Sequence, residues 1–133
     1  PFFPQTELFE FCQGEDIQLV AYSPLGSGDR PDRMRGATDP NLFEQAVILD
    51  IAKRRKISTG QVMLAWAVTR GSTAIPKSSN PERMAENLAT ESIELTSQEM
   101  AAIDSIEILH RYVHGRFWEM PGAPYTTANL WDE

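Results

Sequence analysis

Ile17-Gln18-Leu19-Val20-Ala21-Tyr22-Ser23-Pro24-Leu25-Gly26-Ser27 is the stretch on which the fold turns. Residues 17–22 are apolar and rich in β-formers, short enough for a buried strand, and Pro24 ends the run because proline cannot donate to a ladder. Just upstream, Leu8, Phe9, Phe11 and Cys12 recur at helical spacing behind Thr6, a residue type that caps helices, and Gly14 closes that segment. A helix leading into a buried strand predicts an α/β unit. Downstream, residues 23–41 (SPLGSGDRPDRMRGATDPN) carry prolines, glycines and paired charges without apolar periodicity. They read as a long loop, of a length usually reserved for function or motion.

The same passage then recurs. Phe43, Val47, Ile48, Ile51 and Ala52 define one face of a helix over residues 42–56, which finishes on Lys53-Arg54-Arg55-Lys56. This basic run is read as a solvated helix end that complements the macrodipole rather than as a phosphate site. A second helix follows from a cap at Ser58 or Thr59 through Val62, Met63, Trp66 and Ala67 to Gly71, with Trp66 assigned to the core. Ser72-Thr73-Ala74-Ile75 is a short buried strand closed by Pro76, and Asn80 caps a helix over residues 81–89 with Pro81 at its first position. Thr96-Ser97-Gln98-Glu99 is a capping box opening a last helix with Met100, Ile103 and Ile106 on one face. Beyond Leu109, the aromatics Tyr112, Phe117, Trp118, Tyr125 and Trp131 lie without period among Gly115, Pro121, Gly122 and Pro124. Such a tail either wraps a body or lines a pocket.

Two strands and five helices are thus expected. Two parallel strands buried on both faces cannot satisfy their own ladders, so further strands are expected from another chain or from earlier parts of a larger α/β domain. The 133 residues suffice for one domain at most, and 41% hydrophobic with 23% charged residues is ordinary globular composition. With 12 Lys and Arg against 19 Asp and Glu, the net charge of −7 argues against a nucleic-acid or anionic-membrane binder. The single Cys12 cannot form an internal disulfide and no Cys/His cluster has metal-ligand spacing, which predicts a reducing, cytoplasmic setting and no metal. No run has the length of a membrane span. Pro1-Phe2-Phe3-Pro4 has the features neither of a signal peptide nor of a natural start, so a processed or excised piece is expected.

Both strands end in similar punctuation, Tyr22-Ser23-Pro24-Leu25-Gly26-Ser27 and Pro76-Lys77-Ser78-Ser79-Asn80. Carboxyl ends of parallel strands are where ligands bind, and small residues beside a helix N-terminus form an anion site. The second loop adds the Lys77 charge and the Ser78 and Ser79 hydroxyls, and the helix after Asn80 carries Arg83, Glu86 and Asn87 at neighbouring positions. That set suits a phosphate and the edge of a purine, or else Arg83 and Glu86 form only a surface ion pair. Neither Gly-x-Gly-x-x-Gly after a strand nor Gly-x-x-x-x-Gly-Lys-Ser/Thr is present, so a nucleotide would have to be held another way.

Taken in order, Tyr22-Ser23-Pro24-Leu25-Gly26-Ser27-Gly28-Asp29-Arg30-Pro31, then Ile75-Pro76-Lys77-Ser78, then Pro81-Glu82-Arg83 with Glu86-Asn87, the chain resembles the carboxyl-terminal part of the aldo-keto reductase family. That family is a (β/α)8 TIM barrel binding NADPH across its C-terminal face. The resemblance implies a partial, NADP-binding barrel over residues 1–108 and a C-terminal aromatic tail or substrate loop over 109–133. By resemblance, Tyr22 stacks on the nicotinamide. Ser23, Leu25 and Ser27 form the pyrophosphate turn, and Asp29 and Lys77 close a belt over it. Lys77, Ser78 and Arg83 take the adenosine 2′-phosphate, Glu86 and Asn87 contact adenine, Gly60 is the small residue near the cofactor, and Ser79 remains a cofactor-binding candidate through its hydroxyl. The implied partners are NADP+ or NADPH, a small aldehyde or ketone reduced to an alcohol, and a missing amino-terminal part of the barrel. The family's Tyr general acid, with its Lys, Asp and His, has no counterpart here, since Tyr22, Lys77, His110 and His114 match other positions or fall in the tail. The resemblance therefore implies no catalytic residue in this chain and no activity alone. A non-enzymatic nucleotide-binding or interaction fragment, self-associating through strand edges, is the alternative.

Overall fold

Helix α1 (Thr6–Gly14) leads into β1 (Val20–Tyr22), and α2 (Ala46–Arg55) and α3 (Thr59–Thr69) lead into β2 (Thr73–Ile75). Then follow α4 (Pro81–Ala89), α5 (Ser97–Asp104) and the short α6 (Thr127–Trp131). These elements come from a computed structural model describing residues 1–36 and 38–131. Ala37 in the long loop, residues 132–133 of the tail and the side chains of Arg33 and Trp131 lie outside the described residues.

β1 and β2 are parallel, with Val20 opposite Thr73, Ala21 opposite Ala74 and Tyr22 opposite Ile75. Parallel neighbours require a crossover, which here is the long loop with α2 and α3. The two strands therefore end side by side, and the loops after Tyr22 and Ile75 leave from the same edge. Gly71 makes the return from α3 into β2: its φ of +100° is open to glycine, and the following Ser72 turns its hydroxyl back onto the Ala67 carbonyl at 2.6 Å.

The core is built on the helical side. Val62 to Ala67 are all buried, so α3 is apolar around its middle, and Ile48, Ile51 and Ala52 of α2 and Ile103 of α5 pack with it alongside Phe2, Leu42 and Leu95. Each such aliphatic side chain contributes about 1.5–3 kcal/mol on burial. Trp66 is core, as expected, and its Nε1–H donates to Asp104 at 2.8 Å. Arg70 lies 4.8 Å from the Trp66 ring and 4.1 Å from the Phe9 ring while donating to the Pro4 carbonyl at 2.9 Å, which ties the first residues to α3.

The capping signals hold where a side chain was predicted to reach an N3 amide. Ser58 with Gln61 and Thr96 with Glu99 are complete capping boxes, and Asn80 accepts from the Arg83 amide at 3.0 Å. Thr6 does not cap α1. Gln5, in the left-handed region, takes the cap position and offers no side-chain bond, so Thr6 becomes the first helical residue. Both strands are shorter than their apolar runs, and Val20, Tyr22 and Ile75 are about half exposed rather than buried, because a two-stranded ribbon has no second layer over these side chains. Residues 42–44 form a separate 3-10 turn before α2, with Asn41 accepting from the Phe43 amide. Ile106 lies past the end of α5.

The basic end of α2 is more than a solvated terminus. Arg55 makes a two-pronged contact with Glu99 at 2.7 and 2.5 Å, and the Glu99 side chain is only 7% exposed. The Arg55 hydrogen bond, helped by the Thr96 amide and hydroxyl, outweighs burial and holds the Glu99 carboxyl down at about 2.

Candidate functional site

The edge where β1 and β2 end collects most of the residues singled out from the sequence. Tyr22 presents a half-exposed ring there. Immediately after it, Ser23, Gly26 and Ser27 all have positive φ (49°, 76° and 47°), and the Gly26 amide donates to the Ser23 carbonyl at 2.9 Å. Pro24 occupies the second position of this turn, where its fixed φ belongs. The amides of Leu25, Ser27 and Gly28 have no hydrogen-bond acceptor among the described residues. Successive free amides in a turn with left-handed residues make an anion-binding concavity. The Leu25 side chain packs against the core, so this residue anchors the turn.

Across the edge, Lys77 Nζ lies 2.6 Å from Asp29 Oδ2, joining the two loops 48 residues apart in sequence. Both side chains are well exposed (73% and 65%), and the Lys77 hydrogen bond and charge hold the Asp29 carboxyl below its ordinary range. Beyond Lys77, Ser78 Oγ accepts from the Asn80 amide at 3.2 Å and Asn80 caps α4. Ser79 is exposed and makes no side-chain hydrogen bond among the described residues. Arg83 is exposed and forms no ion pair among the described residues, so the Arg83–Glu86 pair that would explain this helix turn as plain surface is not formed.

Gly60 and Glu86 are brought to one place by a residue that sequence reading passed over. Gln61 accepts the Ser58 amide through Oε1 and donates through Nε2 to the Glu86 carbonyl at 3.1 Å, clipping α4 to the start of α3. A Cβ built on Gly60 would meet only Ser58 Oγ, at 3.8 Å, so no protein group there needs the missing side chain. Asn87 is the one half-buried residue of α4.

Arg30 was also missed, being one charge among several in a polar loop. It is 9% exposed and donates to the carbonyls of Gly26 (2.7 Å), Ser27 (3.0 Å) and Met34 (3.1 Å) and to Asp39. Arg35 adds bonds to the carbonyls of Gly28 and Arg30. The loop is therefore organised around its own arginines. From the tail, Tyr112 lays its ring against Gly26 and donates its hydroxyl to the Pro40 carbonyl at 2.6 Å, and burial together with the Asp39 charge pushes its phenol up to about 12.

A cavity of about 500 Å³ borders this edge. Four consecutive residues, Leu19 to Tyr22, line it with Phe2, Phe3 and the tail residues His110 to Val113. Consecutive rather than alternate lining marks a strand edge, where backbone groups lack a neighbour. The tail thus lines a pocket with residues 110–113 and Leu130, while Phe117, Trp118 and Tyr125 remain substantially exposed. Among the described residues no group of three His, Cys, Asp or Glu could hold a metal ion, and no helix is long and apolar enough to cross a membrane.

The profile of the Aldo/keto reductase family matches residues 1–108. The chain is 50% identical over 133 residues, its whole length and 41% of the relative's, to an aldo/keto reductase of Synechocystis sp.. It is 37% identical over 126 residues, 94% of this chain and 38% of the relative, to aldo-keto reductase family 1 member D1 of Oryctolagus cuniculus. It is 35% identical over 127 residues, 95% of this chain and 39% of the relative, to aldo-keto reductase family 1 member C3 of Homo sapiens. The chain spans about two-fifths of the length of these relatives.

Proposed function

The chain belongs to the aldo/keto reductase family, and on that footing we propose that it is the NADPH-holding portion of an oxidoreductase that converts aldehydes or ketones to alcohols. The observation that carries this reading is the parallel register that sets the Ser23–Ser27 turn beside Lys77, with Asp29 and Lys77 bridged at 2.6 Å. The residues present fit the dinucleotide. The amides of Leu25, Ser27 and Gly28, without an acceptor among the described residues, suit a pyrophosphate, and the Asp29–Lys77 bridge joins their loop to the loop after β2. Lys77, Ser78, Ser79 and Arg83 supply two cations and two hydroxyls for a 2′-phosphate, which selects NADPH over NADH. Glu86 and Asn87 offer a carboxylate and a carboxamide to adenine, and Gly60 leaves room beside them.

When bound, the cofactor would supply the hydride. Tyr22 would then orient the nicotinamide through its exposed face at the cavity, leaving the opposite face to the carbonyl compound. No residue of this chain is assigned the proton-donating role, so reduction requires the amino-terminal part of a whole barrel. A cytoplasmic setting belongs to the same reading.

Urea unfolding of the chain, followed by Trp66 fluorescence with and without nucleotide, tests the proposal. NADPH at about 100 times its dissociation constant should stabilise the folded state by about 2.7 kcal/mol, with NADH at the same concentration giving far less. Equal shifts with both nucleotides refute the 2′-phosphate assignment, and no shift with either refutes the nucleotide site. The half-exposed Val20, Tyr22 and Ile75 favour a second reading, self-association through the ribbon, for which a defined oligomer indifferent to NADPH in sedimentation would be the sign.

A further inference from the structure

The loop after β1 is held at its neck by a residue of the tail. Arg30, nearly buried, donates to carbonyls at Gly26, Ser27 and Met34 and to the Asp39 carboxylate, so it pins the start of the loop to its end. Asp39 is engaged further by the Gly36 amide at 3.0 Å, and His110 of the tail faces it, with Nε2 3.2 Å from Oδ1. Tyr112 closes the arrangement from outside. Its ring centroid lies 5.3 Å from the Arg30 guanidinium and 4.7 Å from the His110 ring, its ring packs against Gly26, and its hydroxyl reaches Pro40. Gly26 and Pro40, at the two ends of the loop, are thus bound by one tyrosine and one arginine. Between these clamped ends sit the Ser27 and Gly28 amides, without an acceptor among the described residues, and the Asp29 carboxylate, which bridges to Lys77.

We propose that Arg30 and Tyr112 are positioning residues: they clamp the neck of this loop so that its anion-binding turn and Asp29 face a nucleoside diphosphate only while tail residues 110–112 are seated. The inference rests on the nucleotide reading for the identity of the ligand, but the clamp itself is a property of the loop and the tail. By linkage, a ligand that needs the clamped loop must also favour the seated tail, so the far end of the chain takes part in nucleotide affinity without touching the nucleotide.

Limited trypsin cleavage at the Arg35–Gly36 bond reads the clamp, because the Arg35 side chain is engaged by the Gly28 and Arg30 carbonyls and must be released to be cut. Cleavage after Arg70, stacked on Trp66 and Phe9, serves as the reference for global opening. Without nucleotide, Tyr112→Ala should speed cleavage at Arg35 at least fivefold with no change at Arg70. Tyr112→Phe, which keeps the ring and loses only the bond to Pro40, should stay within about twofold of the parent chain. The NADPH concentration giving half-protection of Arg35 should rise about tenfold in Tyr112→Ala, a difference of about 1.4 kcal/mol, and return close to the parent value in Tyr112→Phe. Equal cleavage in the parent chain and Tyr112→Ala overturns the clamp whatever NADPH does. Faster cleavage with an unchanged half-protecting concentration overturns the positioning role. Faster cleavage with no NADPH protection of either chain supports the clamp and overturns the nucleotide reading. If Tyr112→Ala also opens at Arg70, the milder Arg30→Lys carries the same comparison.

Discussion

Replacing Glu99 with glutamine removes one charge and leaves the capping box, because a glutamine at the third helical position can still accept the Thr96 amide. What is lost is the two-pronged contact with Arg55, at 2.7 and 2.5 Å, around a carboxylate 7% exposed. Holding that carboxyl from its ordinary 4.5 down to about 2 corresponds to about 3 kcal/mol of native-state stabilisation. Arg55 is 28% exposed and solvent screens the pair, so about 1–2 kcal/mol should survive. The folded-state value lies below the unfolded one. The contribution is therefore complete above about pH 5 and is lost as pH falls from about 4.5 towards 2. Urea unfolding of parent and Glu99→Gln chains at a series of pH values, followed by Trp66 fluorescence, reads the difference directly. The gap should be about 1–2 kcal/mol at pH 7 and should close towards zero by about pH 2.5. A gap below about 0.5 kcal/mol at pH 7, or one that does not change with pH, would refute the assignment of this pair as the lock between α2 and α5.

Arg83→Ala should leave the urea midpoint unchanged, since Arg83 is exposed without an ion pair among the described residues, yet raise the NADPH dissociation constant about 10- to 100-fold and that of NADH less than about threefold. Fluorescence titration with both nucleotides checks the split. Gly26→Ala should cost about 1–2 kcal/mol in unfolding experiments, because a side chain is strained at φ +76° and its Cβ would meet the Tyr112 ring at 3.3 Å. Trp66→Phe should cost about 1–3 kcal/mol by thermal or urea unfolding, from the lost bond to Asp104 and the smaller ring.

The helices were legible because their signals are local. Ser58, Asn80 and Thr96 sit where a side-chain oxygen can reach an amide three residues on, and the structure uses all three. Thr6 carried the same chemistry and failed, since Pro4 and Gln5 direct the chain into α1 through a left-handed residue instead. The juxtaposition of the Ser23–Ser27 turn with Lys77 followed from two parallel strands ending alike, which periodicity and the two prolines already implied. Strand burial was not legible, because an apolar run records what a strand can be packed against and not what stands beside it here. The partners of Arg30, Gln61, Arg55 and Tyr112 were not legible. Arg55, Gln61 and Tyr112 act on a carboxylate or carbonyl 25 to 72 residues away, and Arg30 acts within its own loop, where the irregular backbone gives no spacing rule to read.

α4 buries none of its residues and is clipped to α3 by the Gln61 bond to the Glu86 carbonyl. Its backbone amides are shielded by their own helical bonds and little else, so they exchange with solvent through a local opening far cheaper than unfolding α3, whose middle is wholly buried. The two ends of the proposed ligand would then rest on banks of unequal firmness, a knotted loop on one side and a loosely moored helix on the other. Occupancy should register first as slowed exchange along α4, with the amides of α3 unmoved until the whole chain opens.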